Sequence, residues 1–328
     1  MNKKLLTLAV AAAMAAPLSA MAEATMYGKV RMAVENYTNE VAGLDYARIE
    51  SYSSRLGVKG SEDMGNGLKG VYTLEFGVPI ANTKDEFDNS TSVTARNAFV
   101  GLAGNWGTFL VGRHDTPLKI STGSLDYFAD TAGDNNFNYT EYLQDRRANG
   151  TVAYISPNMN GFTVAVATVP GENNAADGLA NAYSAAAMYS NSGFFASAAY
   201  EAGNGEIDAI PAGAGDLEQM RFGLGYDGGA WKIGGVYENF QLDDISVDGD
   251  SYAINGAFNI GGNNTIKAKY FQTKDHLVDD HDGFALGLDH DFSKRTQGYL
   301  IYTQSKFDNP GVDGDKVEIW GLGLNHNF

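Results

Sequence analysis

The chain alternates apolar and polar residues with a period of two along much of its length. Between residues 25 and 35 the even positions are apolar or small, whereas the charged residues occupy odd positions. The same alternation returns at 250–260, 284–292 and 316–328. Successive side chains of a β-strand point to opposite faces. Each run therefore predicts a strand with one face that avoids water and one that seeks it.

Short and long polar connections alternate between the predicted strands. Short turns fall at 61–67, 103–107, 156–161, 191–193, 226–229, 261–264 and 293–296, and longer stretches at about 37–46, 80–91, 115–146, 171–181, 203–218, 242–249, 275–282 and 308–315. This succession implies sixteen strands, with both termini on the short-turn side. Short turns at one end and long loops at the other are typical of outer-membrane barrels.

A soluble β-sandwich or propeller would also alternate, but its outward face should be polar and its apolar face buried. Here the residues between the apolar positions include Asn255, Lys267 and Lys269, which are too polar for a dry core. We therefore expect an all-β fold, a 16-stranded antiparallel transmembrane β-barrel with a wet lumen. Aromatic residues near strand ends suit interfacial girdles, namely Tyr226, Trp231, Tyr237, Phe292 and Trp320.

Composition agrees with strands and with export. The chain has 40 Gly, 18 Tyr and 17 Phe against 7 Pro, and after the first 22 residues no apolar run is long enough for a membrane helix. Lys3 and Lys4, the apolar stretch 5–16 and the small-x-small motif at 20–22 predict a signal peptide over 1–22. The mature barrel should then comprise residues 23–328.

The charge balance limits the possible partners. Removal of Lys3 and Lys4 with the signal peptide changes 23 basic and 40 acidic residues to 21 and 40, so the net charge moves from -17 to -19. Such a chain repels nucleic acid phosphates, which argues against nucleic acid binding. The absence of cysteine excludes a disulfide framework.

Four segments resemble the strand-turn-strand signatures of Gram-negative general diffusion porins: 54–75, 96–119, 147–167 and 321–328. Their order and spacing extend the resemblance over essentially the whole mature chain. The resemblance implies a water-filled outer-membrane channel for passive diffusion of ions and small hydrophilic solutes. It also implies a homotrimer in contact with outer-membrane lipids and lipopolysaccharide. The third extracellular loop, here about 115–146, would fold inward to narrow the pore.

The resemblance also suggests constriction residues. Family members place wall arginines at positions matching Arg55 and Arg96, and Arg146 or Arg147 is nearest to a third. Alternation puts Arg55 on the inner face but leaves Arg96 ambiguous. The third loop contributes Asp115, Asp126, Asp130, Asp134 and Glu141. We expect Arg55, Arg96, Arg147, Asp126, Asp130 and Glu141 at the constriction, where opposed charges would create a transverse field. The alternative is that each charge merely solvates a wall or a loop.

The final strand ends on Phe328 after alternating apolar residues. In the resembling family, such a terminal aromatic is what the barrel assembly machinery recognises. We therefore assign Phe328 as the assembly signal.

Other chemistry has weaker support. An outer-membrane hydrolase would need a nucleophile with a positioned base. The histidines at 114, 276, 281, 290 and 326 have no such motif near them, so we expect no enzyme. No cofactor is expected, although acidic loops at 243–250, 276–282 and 308–315 could bind Ca²⁺ or Mg²⁺ that bridges to lipopolysaccharide. Simple solvation of these loops is the alternative. Ion selectivity, pore size, preferred solute, gating and receptor or adhesin roles stay open at this point.

Overall fold

The fold was determined as a computed structural model. It describes residues 24–40, 42–81, 93–135, 145–171, 178–203, 216–242, 247–275, 280–309 and 312–328. The predicted signal peptide 1–22 and Glu141 lie outside these residues. Among the described residues, no helix combines the length and the apolar character needed to cross a membrane.

Strands make up nearly all of the described part of the chain. They are β1 (Thr25–Asn39), β2 (Leu44–Ser51), β3 (Arg55–Gly65), β4 (Leu68–Gly77), β5 (Thr94–Gly104), β6 (Gly107–Asp115), β7 (Arg147–Ile155), β8 (Phe162–Val169), β9 (Ala182–Asn191), β10 (Phe194–Gly203), β11 (Leu217–Asp227), β12 (Trp231–Leu242), β13 (Val247–Gly261), β14 (Asn264–Asp275), β15 (Asp280–Asp291), β16 (Thr296–Asn309) and β17 (Val312–Asn327). Between β6 and β7 lie the short helix α1 (Pro117–Thr122) and a 3-10 turn (Gly123–Leu125).

Antiparallel pairing closes the sheet on itself. The first strand pairs with the last over a register from Lys29 opposite Asn327 to Asn39 opposite Val317. On its other edge β1 pairs with β2 along one part and with β3 along the rest, so β2 and β3 together fill one position in the wall. The predicted closed 16-stranded antiparallel barrel is thereby confirmed.

The two faces of the wall are inverted relative to a soluble protein. In β11, Met220, Phe222 and Leu224 are 46, 49 and 57 % exposed on the outside. Their neighbours Gln219 and Arg221 are buried on the inside. Apolar side chains thus cover the outer surface and polar ones point inward, as the alternation predicted. This is the arrangement that satisfies both lipid outside and water inside.

Aromatic side chains form neighbouring contacts on the outer surface. Tyr302 of β16 and Trp320 of β17 have ring centroids 4.2 Å apart. Tyr226 and Trp231 have centroids 5.4 Å apart near the short-turn end. All five aromatic residues predicted for the girdles are exposed: Tyr226, Trp231, Tyr237, Phe292 and Trp320.

Tight turns join the strands at the short-turn end. Asn66 and Gly67 connect β3 to β4 with φ of 53° and 77°, and Ser192 and Gly193 connect β9 to β10 with φ of 51° and 84°. Positive φ at both central residues defines the type I′ hairpin turn, which matches the twist of paired strands. The local Asn-Gly and Ser-Gly sequences therefore produce these turns.

Several predicted long loops are shorter than the sequence suggested. The expectation for about 37–46 was wrong in extent, because β1 and β2 continue until only residues 40–43 connect them. Likewise, β16 and β17 reach Asn309 and Val312 within the expected loop 308–315. Polar side chains on both faces concealed these strand ends. Backbone pairing continues beyond the apolar band, where water can solvate both faces of a hairpin.

Candidate functional site

The segment that follows β6 runs along inward-facing side chains of the wall. We call residues 116–135 the inner segment. Its helix α1 begins after Thr116, whose hydroxyl accepts a hydrogen bond from Lys119 N at 3.4 Å, and Pro117 occupies the first turn. Leu118 is completely buried against Ala186 and Ala199 of β9 and β10. Small inward side chains on these two strands therefore allow the helix to approach the wall closely.

Basic wall residues satisfy carbonyl groups of the inner segment. Arg31 Nη1 donates to the carbonyl oxygens of Ala129 at 2.7 Å and Asp130 at 2.9 Å. Lys267 Nζ donates to the carbonyl oxygen of Tyr127 at 2.9 Å. The backbone of the inner segment is not paired as in a β-sheet, so these contacts supply hydrogen-bond partners for its carbonyl groups. They hold the segment to β1 and β14.

Asp130 joins the inner segment to the wall electrostatically. One of its carboxylate oxygens lies 2.8 Å from Lys29 Nζ and 3.2 Å from Arg55 Nη2. Burial raises the pKa of Asp130, but the positive charges of Arg55 and Lys29 outweigh burial and hold this pKa below its ordinary value. The structure thus places Arg55 and Asp130 in direct contact, whereas the sequence suggested charges that oppose each other across a gap.

Arg96 belongs to the same group through Glu75. Arg96 Nε lies 2.6 Å from Glu75 Oε1, and Tyr27 donates a hydrogen bond to the other oxygen at 3.0 Å. The register between β4 and β5 shifts between Leu74 and Phe76. This irregularity resets the alternation, so Arg96 points inward although it has the same parity as outward-facing Val100. The ambiguity in the sequence has this bulge as its cause.

Arg147 forms a separate ion pair at the ends of β6 and β7. Its Nη2 lies 2.9 Å from Asp115 Oδ1, and its Nε donates to Asn97 Oδ1 at 3.0 Å. Lys119 also contacts Asp115 at 3.3 Å. Asn97 follows Arg96 directly in β5. Arg147 is therefore next to the group formed by Arg96 and Glu75.

Asp126 shapes the inner segment from within. Its two carboxylate oxygens accept hydrogen bonds from Phe128 N and Asn135 N, both at 2.9 Å. Lys269 Nζ lies 3.4 Å away from the same carboxylate, whose side chain is 8 % exposed. Asp126 therefore fixes a turn and does not face open water. The third predicted acid, Glu141, lies outside the described residues.

Sequence reasoning missed Arg221, which contacts both the inner segment and the chain just before β7. This fully buried side chain donates from Nε to Glu238 Oε2 at 2.5 Å and from Nη1 to Thr122 Oγ1 at 3.2 Å. It also pairs with Asp145, which directly precedes β7. The only signal in the sequence was an inward strand position between Gln219 and Gly223. Its partners depend on the path of a distant loop.

The acidic loops considered for divalent cations lie largely beyond the described residues. Within the described part of the chain, no three acidic or histidine side chains are grouped so as to hold a metal ion. Asp250 is described, and it accepts a hydrogen bond from Tyr237 Oη at 2.5 Å. Further candidate ligands in these loops either lie outside the described residues or have side chains that are not described: Asp243, Asp244, His276, Asp279, His281, Asp308, Asp313 and Asp315.

A sequence profile of Gram-negative porins matches residues 9–310, which is most of the chain. The chain belongs to the Gram-negative porin family. The porin is 30 % identical to the major outer membrane protein P.IB of Neisseria gonorrhoeae, and the alignment covers 100 % of both chains. It is thus a protein of the outer membrane, and it forms a water-filled channel for passive diffusion of ions and small hydrophilic solutes.

Solved porins have the same fold. The anion-selective porin from Comamonas acidovorans superimposes with a TM-score of 0.79 at 23 % identity, covering 93 % of this porin and 99 % of the other chain. OmpT of Vibrio cholerae in its trimer form superimposes with a TM-score of 0.67 at 20 % identity, with coverage of 93 % and 99 %.

Proposed function

We propose that the inner segment forms the constriction of this channel and that the wall beside it favours small anions over cations. The observation that carries this proposal is the set of contacts between Asp130 and the wall. Asp130 is paired with both Lys29 and Arg55, so a single acid is shared by two cations. Arg31 donates to carbonyl oxygens, which do not cancel its positive charge.

Positive charge exceeds negative charge on one side of the inner segment. We define the basic wall as five inward-facing side chains of β1, β3, β5 and β7: Lys29, Arg31, Arg55, Arg96 and Arg147. Their ion-pair partners are Asp115, Asp130 and Glu75. In a narrow water path between walls of low dielectric constant, fixed charges raise the local concentration of counter-ions. The basic wall should therefore attract anions, although the whole chain is acidic.

A bilayer measurement tests this proposal. We expect the double variant Arg55→Ser with Arg96→Ser to shift the reversal potential in a KCl gradient toward the value of a cation-selective channel. The matched control is Lys232→Ser, which removes a positive charge from an exposed pair with Asp227 at the strand ends beside a short turn. An unchanged reversal potential in the double variant would reject the assignment of Arg55 and Arg96. An equal shift in the control would show that position does not matter.

The structure of a relative supports an oligomeric channel, since OmpT of Vibrio cholerae has been solved as a trimer. This porin accordingly acts as a homotrimer in contact with outer-membrane lipids and lipopolysaccharide, inserted by the barrel assembly machinery after removal of residues 1–22. It needs no cofactor and catalyses no reaction. Native mass measurement, N-terminal sequencing and a lipid-hydrolysis assay on the purified protein test these points separately.

A further inference from the structure

The inner wall beneath the inner segment contains glycines at inward positions. Gly223 and Gly225 lie in β11, Gly234 lies in β12 and Gly287 lies in β15. Glycine weakens a strand interior, because it gives up more conformational freedom than other residues and provides no side chain to pack. Several such glycines around one loop therefore indicate a close approach between the loop and the wall.

Leu125 occupies the space above three of these glycines. A Cβ atom on Gly225 would lie 2.6 Å from Leu125 Cδ2, and one on Gly223 would lie 2.8 Å from Leu125 Cδ1. A Cβ atom on Gly234 would lie 3.0 Å from Leu125 Cδ2. These separations are shorter than ordinary van der Waals contact. We call Gly223, Gly225 and Gly234 the leucine socket; Leu125 is 3 % exposed within it.

Phe128 occupies a second space of the same kind. Its ring is completely buried, and a Cβ atom on Gly287 would lie 3.0 Å from Phe128 Cε1. Ala285 of the same strand belongs to the same buried cluster. Lys267 Nζ lies 4.8 Å from the ring centroid, a distance suited to a cation–π contact. We call Ala285 and Gly287 the phenylalanine socket.

An adjacent glycine shows that the sockets are specific to the inner face. Gly235 follows Gly234 in β12 but points outward. A Cβ atom there would meet only the carbonyl oxygen of Ala253 at 3.6 Å, which is an ordinary contact. The two glycines are adjacent in one strand, and both are paired with β11 and β13. They differ in whether the inner segment lies above them.

We propose that Leu125 and Phe128 are the positioning residues of the constriction, and that the volume missing at the two sockets sets how far the inner segment reaches into the water path. This inference rests on the proposed function of the inner segment as the constriction. Protein interiors are close-packed, so extra volume must displace something. The strand backbone is held by pairing on both edges. The inner segment must therefore be the part that moves toward the lumen.

Single-channel conductance of trimers in planar bilayers tests the sockets. We expect Gly225→Val to lower the conductance and to exclude sugars that the unchanged porin admits. Gly225→Ala should act in the same direction with a smaller effect, and it serves if the valine variant fails to fold. The matched control Gly235→Val should have the conductance of the unchanged porin. Adding Leu125→Ala to Gly225→Val should restore most of the lost conductance, because it removes the colliding methyl groups.

The outcomes separate this inference from the proposed function. Unchanged conductance in Gly225→Val and Gly225→Ala, or no recovery in the double variant, would overturn the sockets. Deletion of residues 117–135 tests the constriction itself. If the deletion raises the conductance while the glycine variants leave it unchanged, the proposed constriction is retained and the inference about the sockets is rejected. If the deletion also leaves the conductance unchanged, both the proposed constriction and the inference about the sockets are rejected. Heat-dependent migration in detergent gels verifies that each variant forms a folded barrel.

Discussion

Asp130 shows how one loop carboxylate remains ionised inside a barrel. It lies within 3.2 Å of both Lys29 Nζ and Arg55 Nη2, and its backbone adopts φ of 58°. Burial alone would raise its pKa, yet the two cations keep that pKa below the ordinary 3.8. The carboxylate is therefore charged at neutral pH. Its ionisation links the position of the inner segment to the acidity of the solution.

The pH dependence of the channel should follow from this pairing. A carboxyl group with a lowered pKa in the folded protein stabilises fully above its ordinary pKa, and this contribution disappears as the pH falls through the folded value. We expect conductance and current noise to stay constant from neutral pH to about pH 4 and to change below it. Asp130→Asn, which loses charge-assisted hydrogen bonds of about 1.5–3 kcal/mol, should show the low-pH noise already at neutral pH.

The control for this prediction is Asp227→Asn, which removes an exposed acid at the end of β11. Asp227→Asn should not change the pH at which conductance and current noise begin to change. An Asp130→Asn channel that keeps the acid transition of the unchanged porin would show that another group controls it.

Three arginines illustrate what a sequence reveals at the scale of single residues. Arg55 could be placed on the inner face because Leu56 and Val58 alternate with it. Arg96 could not, since the register shift between β4 and β5 resets the parity beside it. Arg221 was overlooked because two of its partners, Thr122 and Asp145, lie in a loop that is distant in sequence. Periodicity gives the direction of a side chain, whereas its partners depend on tertiary structure.

At the scale of one strand, the direction of a side chain decides whether it meets lipid or water. Val166 of β8 is 43 % exposed on the outer surface, and Thr163 of the same strand points inward. A guanidinium group on the lipid face costs about 2–4 kcal/mol near the bilayer midplane. We expect Val166→Arg to lower the free energy of unfolding by about this amount. Denaturant titration of the porin in lipid vesicles measures it.

Thr163→Arg is the matched comparison, because it adds the same group to the wet side of the same strand. Its effect should stay within about 0.5 kcal/mol, as for other solvated positions. If both variants lost equal stability, the assignment of faces in β8 would be wrong.

Strands and turns were predictable because their signals are local. Asn66 and Gly67 specify a type I′ turn by themselves, and alternation over a few residues marks a strand face. The sequence misplaced the ends of β1 and β17 on the side of the long loops, because hairpins that extend into water carry polar side chains on both faces. Such segments have the composition of a loop. Only their pairing, such as Tyr37 opposite Tyr46, identifies them as strands.

At the scale of the whole molecule, the inner wall contacts the inner segment in two ways. Strands β9 to β12 and β15 present small inward residues to the inner segment, among them Ala186, Ala199 and the leucine socket. The basic wall lies on β1, β3, β5 and β7 with long cationic side chains. The small residues therefore pack against apolar side chains of the segment, whereas the basic wall contacts the segment through Lys29, Arg31 and Arg55. This division needed the closed barrel, because the strands concerned are far apart in sequence.

Phe328 contacts Gly28 at the end of the seam where β17 pairs with β1. The two residues exchange backbone hydrogen bonds of 3.0 Å in both directions, which completes the pairing of β17 with β1. The Phe328 ring covers Gly28 so closely that a Cβ atom there would overlap the ring. An aromatic ring over a glycine on the neighbouring strand stabilises such pairing. The proposed assembly signal thus also has a place in the final seam.

These two roles of Phe328 can be separated by the rate of folding. Gly28→Val keeps Phe328 but displaces its ring, and the added Cβ would also lie 2.8 Å from the carbonyl oxygen of Arg55, so this variant should slow barrel closure in pure lipid vesicles. Phe328→Ala should slow folding to a similar extent in pure lipid vesicles. When purified assembly machinery is present, Phe328→Ala should fold more slowly than Gly28→Val. Gly256→Val, an outward glycine whose added Cβ would meet its nearest atom only at 4.0 Å, is the control. Heat-dependent gel migration over time gives the folded fraction. If Gly28→Val folds as fast as the control, the ring does not contribute to closure; if both test variants respond equally to the machinery, Phe328 is no separate signal.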